Sequence, residues 1–306
     1  MKDNRKKTLH SNLRLRACII EATRQFFRSN GYLEVETPVR LPAPPPEAHI
    51  EAVTSGNWFL QTSPELCMKR MLAEGFPQLF QICKCFRQAE RGHRHLPEMT
   101  LLEWYRTECT YLDLMKECEA FITHVAHQTG SGVILGYQGL HIQLAPPWPR
   151  IAVKDAFEKF ASSPLEEALQ NDQFDEIMVT QIEPRLGRSQ PVFLVDYPAC
   201  RAALAKLKPE DSRYAERFEL YIGGLEICNA FSELIDPVEQ RARFEHERDQ
   251  RRKTGKPVYP MPEPFLTALK DLPPAAGNAL GIDRLIMLFA DTQKIDDVVA
   301  FTPEAL

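Results

Sequence analysis

Residues 216–234 read ERFELYIGGLEICNAFSEL. Gly223-Gly224 sits between two runs rich in apolar and aromatic residues, which is the signal of a two-residue hairpin. The turn predicts strands over 216–222 and 225–231, pairing Ile222 with Leu225, Tyr221 with Glu226 and Glu219 with Cys228. Successive side chains alternate between faces, so Glu219 and Glu226 share one face at a diagonal of about 7–8 Å. Phe218, Leu220 and Ile227 take the opposite face and suit a core. Two carboxylates on one face repel unless one is protonated or a cation lies between them. Oxygen ligands near phosphates suit Mg²⁺. A solvated strand face with nearby Arg or Lys partners fits the same pattern, and spacing leaves both readings open.

An earlier pair of strands reads the same way. Residues 79–87 (LFQICKCFR) and 99–106 (MTLLEWYR) are expected as strands joined by a polar loop. Alternation puts Met99, Leu101, Glu103 and Tyr105 on one face and Thr100, Leu102 and Trp104 on the other. From the residues alone, Glu103 reads as a structural ion pair with Arg87 or Arg106 rather than a receptor for a substrate ammonium. The loop Glu90-Arg91-Gly92-His93-Arg94-His95 is basic and could hold polyphosphate. Its two histidines do not make a metal site. Gly277-x-x-x-Gly281-x-x-Arg284 lacks the Lys-Ser/Thr of a P-loop. It is expected as a glycine-bounded turn leading into a helix.

Around these pieces, residues 1–12 read as a loose basic tail. A helix follows, with Leu15, Ile19, Ala22 and Phe26 at helical spacing and Asn30-Gly31 as its stop. GYLEVETP (31–38) predicts a turn into a short strand, and LPAPPP (41–46) a loop. Trp58 to Gln61 is strand-like. A helix starts at Thr62-Ser63-Pro64-Glu65, with Pro64 at N1 and Thr62 and Glu65 at capping-box spacing. Residues 111–128 are helical. Residues from about 130 to 210 are expected to be an insertion with small helices of its own. Asp236-Pro237 caps a charged helix to about Lys253, whose charge reads as a solvated face. Strands that follow one another as hairpins imply an α+β fold with a mainly antiparallel sheet flanked by helices.

Composition sets outer limits. The chain has 306 residues, 44% of them hydrophobic, enough for a sizeable core. Its 37 basic and 42 acidic side chains give a net charge of −5, which disfavours a large nucleic-acid footprint. The eight cysteines are scattered and form no C-x-x-C pair, so a zinc site is not expected. No apolar run is long enough to span a bilayer, and the charged N-terminus lacks the apolar segment of a secretory signal. The expectation is a cytoplasmic protein with no membrane partner.

Taken in order, these pieces resemble the three motifs of class II aminoacyl-tRNA synthetases. GYLEVETP resembles motif 1, whose final proline (Pro38) supports a dimer interface in that fold. CFRQAERGHRHLPEMTLLEWYR (85–106) resembles motif 2, and GNALGIDR (277–284) motif 3. ERFELYIGGLEICNAFSEL and TSPELCMKRML (62–72) are closer to the lysyl-tRNA synthetase subgroup. The absence of room for an N-terminal anticodon-binding module, LEWYR after motif 2, and Ala279 in motif 3 are similar to the elongation factor P–lysine ligases.

The resemblance implies a single catalytic domain over 1–306 that uses ATP and Mg²⁺. Arg87 and Arg284 would be catalytic, contacting the phosphates. Gln88, Glu90, His95, Met99, Ile227 and Gly281 would complete the ATP site. Glu219 and Glu226 would hold the metal. Ser63, Pro64 and Glu65 would address the amino group beside the reacting carboxylate. Glu103, Tyr105 and Glu233 would receive the distant ammonium, with Asn229, Phe231 and Ala279 lining the pocket. The implied substrate is lysine or (R)-β-lysine, the implied acceptor a lysine side chain of elongation factor P, and the implied assembly a homodimer; tRNA is disfavoured. Other readings are a truncated synthetase charging tRNA or another amine, and a non-catalytic lysine-binding regulator. Three positions depart from the broader pattern. Ala89 stands where a motif 2 glutamate is expected, with Glu90 one step later; Leu96 replaces a loop asparagine; Met99 replaces an adenine-stacking phenylalanine.

Overall fold

The computed structural model describes residues 2–88 and 90–306, residues 2–6 as backbone only. The expectation for Ala89 lies outside the described residues. The chain opens with helix α1 (Lys2–Ser29), then short strands β1 (Leu33–Glu34), β2 (Arg40–Leu41), β3 (Thr54–Ser55) and β4 (Trp58–Leu60). Helix α2 (Glu65–Ala73), strands β5 (Gln78–Phe86) and β6 (Glu98–Thr107) and helix α3 (Tyr111–Gln128) follow. A small hairpin, β7 (Ile134–Tyr137) and β8 (Leu140–Gln143), leads to β9 (Arg150–Ala152). Helices α4 (Val153–Phe160), α5 (Leu165–Gln170) and α6 (Phe174–Ile177) precede β10 (Val192–Pro198). The last third comprises β11 (Tyr214–Ile222), β12 (Leu225–Ser232), α7 (Pro237–Lys253), α8 (Glu263–Ala268), β13 (Ala275–Gly281) and α9 (Ile282–Phe289).

Eight strands form the main sheet, in the order β1-β5-β6-β13-β12-β11-β10-β9. Its two edge pairs are parallel and its interior is antiparallel. Phe80, Leu102, Trp104, Phe218, Leu220 and Leu280 leave the back face and pack with α1, α3 and α9. Fully burying a side chain of this kind is worth about 1.5–3 kcal/mol, so this face fixes which residues remain on the front. On the front, α2 and α8 pack with Leu79, Tyr105 and Phe231.

Four expectations are corrected. Residues 2–12 are not a loose tail: α1 runs unbroken from Lys2, through residues that include no proline or glycine, and Asn12 Nδ2 donates to the Asp297 carbonyl at 2.9 Å. Residues 277–281 are not a turn but most of β13, paired with β6 on one side and β12 on the other. Their small side chains mask a strand because packing, not intrinsic preference, decides the element. Pro64 is the cap residue of α2 rather than its first residue, and no capping box forms: Ser63 Oγ accepts the Glu65 N–H at 3.0 Å. Finally, residues 130–210 contribute β9 and β10 to the main sheet, which were not read from the sequence.

Candidate active site

The front face is built by register. Gly223 and Gly224 adopt φ of 61° and 77°, the left-handed pair that a tight hairpin turn requires. Tyr221 pairs with Glu226 as expected, but a bulge then intervenes, so that Leu220 pairs with Cys228 and Glu219 with Asn229. The expected Glu219–Cys228 pair is therefore wrong by one residue. The extra residue moves Cys228 to the core side beside Cys118, and brings Asn229 and Phe231 to the face that carries Glu226. Strict alternation would have put Asn229 and Glu226 on opposite faces; the bulge is what lets both serve one site.

Two rows of side chains cross the sheet in consequence. Glu219, Asn229, Ala279 and Glu103 lie in one row, and Arg217, Phe231, Gly277 and Tyr105 in the next. At the phosphate-like end, a cavity of about 370 Å³ is lined by Arg87, Glu90, His95, Met99, Glu219, Glu226, Ile227, Gly281 and Arg284, among others. Asn229 and Ala279 lie on its wall toward the second pocket, and Leu96 closes part of it from the core. Arg284 Nη1 donates to Glu226 Oε2 at 2.9 Å, and Arg284 Nη2 lies 2.5 Å from His95 Nε2. Burial and the Arg284 charge hold His95 below the ordinary imidazole range, so it faces Arg284 as a neutral acceptor. Arg87 pairs with Glu90 at 3.3 Å, while its buried Nε has no hydrogen-bond partner.

Glu219 is held by Arg217 Nη2 (2.7 Å) and the Tyr221 hydroxyl (2.7 Å). Burial and Glu226 raise it. Burial works the same way on Glu226, but Arg284, Arg217 and Arg87 outweigh it and hold that carboxyl below its ordinary value. Among the described residues, no cluster of three or more His, Cys, Asp or Glu side chains could hold a metal by itself. The Glu219–Glu226 pair suits an ion that brings phosphate oxygens with it, as Mg²⁺ does.

The second pocket is more enclosed. Glu103 is fully buried and pairs with neither Arg87 nor Arg106, which corrects the ion pair expected for it; Arg106 is taken by Glu117. Instead Ser63 Oγ donates to Glu103 Oε1 at 2.6 Å and Tyr105 Oη donates to Oε2 at 2.7 Å. Lys69, also buried, reaches Glu65 at 2.5 Å and Glu233, and its ammonium lies 5.1 Å from the Phe231 ring centroid. One lysine therefore faces three carboxylates: Glu65, Glu103 and Glu233. The surplus negative charge is relieved by protonation. Burial and Glu65 push Glu103 up to about 7. Burial, with Glu65 and Glu103, pushes Glu233 up to about 8 against the pull of Lys69. Glu233 Oε1 has no hydrogen-bond partner. The pocket is thus short of positive charge and ready for an ammonium.

Sequence reasoning missed Lys69 and Arg217. The signal for Lys69 was a lysine between Met68 and Leu72, both buried, one turn after Glu65. The signal for Arg217 was its position two residues before Glu219 on the same strand face. Arg217 also holds Asn229 Oδ1 at 2.9 Å, tying the two rows together.

Gly277 is required where it stands. A Cβ there would lie 2.1 Å from the Tyr105 ring and 2.7 Å from Glu233 Oε1. Gly277→Ala is expected to cost about 1–3 kcal/mol of stability through overpacking and to displace Tyr105 and Glu233. A thermal melt should shift down; an unchanged melt would contradict this packing.

Arg87 and Arg284 thus line one cavity, beside an acidic pocket, on the antiparallel interior of the sheet. The family described as tRNA synthetases class II (D, K and N) matches residues 1–305. Curated relatives narrow the class. The Elongation factor P--(R)-beta-lysine ligase of Pectobacterium carotovorum is 39% identical, across 96% of this chain and 95% of the relative. Proteins of the same name from Hamiltonella defensa and Haemophilus influenzae (strain PittGG) are 38% and 39% identical across 96% and 95% of this chain, and 95% and 94% of theirs. The chain belongs to the elongation factor P–(R)-β-lysine ligase family. No helix among the described residues is long and apolar enough to cross a membrane.

Proposed function

We propose that this protein activates (R)-β-lysine with ATP and transfers the β-lysyl group to a lysine side chain of elongation factor P. The observation that carries the reading is the charge count of the enclosed pocket. Three carboxylates face one internal ammonium. A substrate with two ammonium groups brings the sum to zero, and a diamino acid such as lysine or β-lysine has them.

Glu233 and Glu103 receive the distal ammonium and Glu65 the one nearer the reacting carboxylate. That carboxylate then points toward Arg87. Its oxygen attacks the α-phosphorus of ATP, an O–P bond forms, and pyrophosphate leaves. Arg87 faces the α-phosphate and stabilises charge that develops there, while Arg284 faces the terminal phosphate. Glu219 and Glu226 would hold Mg²⁺, which supplies neutralisation of phosphate charge when bound. No side-chain nucleophile is needed, since positioning and electrostatics suffice. Retention of these phosphate-facing arginines argues against a purely regulatory lysine binder.

The raised carboxyls set a pH dependence. Glu103 at about 7 and Glu233 at about 8 carry protons at lower pH, and only the carboxylates attract an ammonium. The kcat/KM for β-lysine is therefore expected to rise from pH 6 to about 8.5, with protons released on binding near pH 7. Calorimetry in two buffers of different ionisation enthalpy measures that release. A flat profile with no proton release would contradict the assignment.

The direct test is mass spectrometry of elongation factor P after incubation with the protein, ATP, Mg²⁺ and (R)-β-lysine. One β-lysyl group on one lysine is expected. An unmodified acceptor, with the adenylate forming normally, would overturn the acceptor.

A further inference from the structure

The transfer half of this reaction needs a way in for a protein-borne lysine. Helix α7 borders a second, larger cavity of about 620 Å³. The two cavities share Glu47, Ile50, Ala203 and Arg217, so they adjoin. The walls are tied down. Ala48 N–H donates to Glu247 Oε2 at 2.7 Å, and Arg251 Nη1 donates to the Glu47 carbonyl at 2.7 Å. Arg243 Nη1 donates to the carbonyls of Ala203 and Ala205, both at 2.8 Å. A helix that reads as a solvated charged face is thus one side of a built groove leading to the reacting atoms.

Two features show what the groove takes. Gln240 is 1% exposed and lines it, yet among the described residues neither atom of its amide has a hydrogen-bond partner. Leaving a buried amide without partners is unfavourable, and a peptide group, with one donor and one acceptor, matches it. Glu47 stands where the two cavities meet, so its carboxyl lies at the inner end of the groove, toward the ATP cavity. Burial, with Glu65 and Glu247, raises that carboxyl to about 7, against Arg87 and Arg217. The groove also carries His49, Asp175, Arg201, Glu239, Arg243 and His246 along its length.

We infer that the groove between α7, residues 47–50 and residues 199–204 docks the lysine-bearing loop of the acceptor protein, with Gln240 holding its backbone and Glu47 receiving the proton from its ammonium. The inference rests on the proposed ligase reaction. Glu47 takes one proton, and the neutral amine attacks the carbonyl carbon of the mixed anhydride. The new C–N bond forms, the C–O bond to the phosphoryl group breaks with its electron pair leaving on AMP, and the second nitrogen proton passes to water.

Ala242 is exposed and lines the groove, so a bulky residue there blocks it without entering the core. In Ala242→Trp, β-lysine-dependent ATP–pyrophosphate exchange and transfer to free hydroxylamine should stay at their unaltered rates. Transfer to elongation factor P should fall at least about tenfold, that is by about 1.4 kcal/mol or more in transition-state stabilisation. Gln240→Met, which keeps the shape and removes the amide, should raise KM for the acceptor and leave KM for β-lysine unchanged. Glu47→Gln should lower transfer to the protein lysine more than transfer to hydroxylamine, which needs no ammonium proton removed. Unimpaired transfer to elongation factor P in Ala242→Trp would overturn the groove. Absence of exchange in the unaltered protein would instead sink the ligase reading itself.

Discussion

Arg87→Ala lowers β-lysine-dependent ATP–pyrophosphate exchange by about 100- to 1,000-fold, the usual cost of removing one aimed donor from a site of developing oxyanion charge. The residue sits just past the end of β5, where its backbone N–H is fixed to the Pro97 carbonyl at 2.8 Å. Among the described residues its one ion-pair partner, Glu90, is held only at 3.3 Å, and its Nε is buried without a hydrogen-bond partner. A guanidinium so placed retains donors for a phosphate oxygen. On the proposed mechanism the interaction would strengthen as the α-phosphorus accepts the attacking oxygen, so the loss should fall on kcat more than on KM for ATP. Steady-state exchange with varied ATP separates the two. A loss carried wholly by the ATP KM would mean that Arg87 serves binding alone.

Glu233→Gln is the second large expected effect, and it falls on the other substrate. Removing one partner of a buried ion pair costs about 3–5 kcal/mol, so KM for β-lysine should rise by at least about 100-fold. KM for ATP should stay within about twofold, because Glu233 is not among the groups lining the nucleotide cavity. Lys69 would keep Glu65 alone as its ion-pair partner. Equal losses for ATP and β-lysine would contradict the separation of the two pockets.

The hairpin at 216–231 shows how far the sequence could be read. Gly223-Gly224 marks the turn, and alternation correctly puts Glu219 and Glu226 on one face. Nothing in the residues of strand β12 announces the bulge that brings Asn229 onto that face as well. A bulge is decided by the packing of both faces, where Cys228 is drawn to the core and Asn229 to Arg217. Strand β13 was hidden for a related reason. Gly277, Asn278 and Ala279 have low strand preference, but the space under Tyr105 and Glu233 admits nothing larger at Gly277. Alternation puts Tyr105 beside Glu103, but the Ser63 contact was illegible because Ser63 comes from a distant segment, and local charges suggested Arg87 and Arg106 instead. Helix α3 was legible to the residue, since Thr110 and Asp113 form a capping box at its start. Lys69 was overlooked because a lysine on a helix ordinarily points to water; here two carboxylates and an aromatic ring hold it inside.

On this mechanism the site forms an adenylate of a two-ammonium substrate, with β-lysine preferred. ATP–pyrophosphate exchange on the purified protein, run with (R)-β-lysine, with α-lysine and with neither, tests it most directly. Exchange is expected to require the amino acid and to be fastest with (R)-β-lysine. Exchange faster with α-lysine would contradict the substrate assignment, and no exchange with either, in folded protein that still binds lysine, would contradict catalysis altogether.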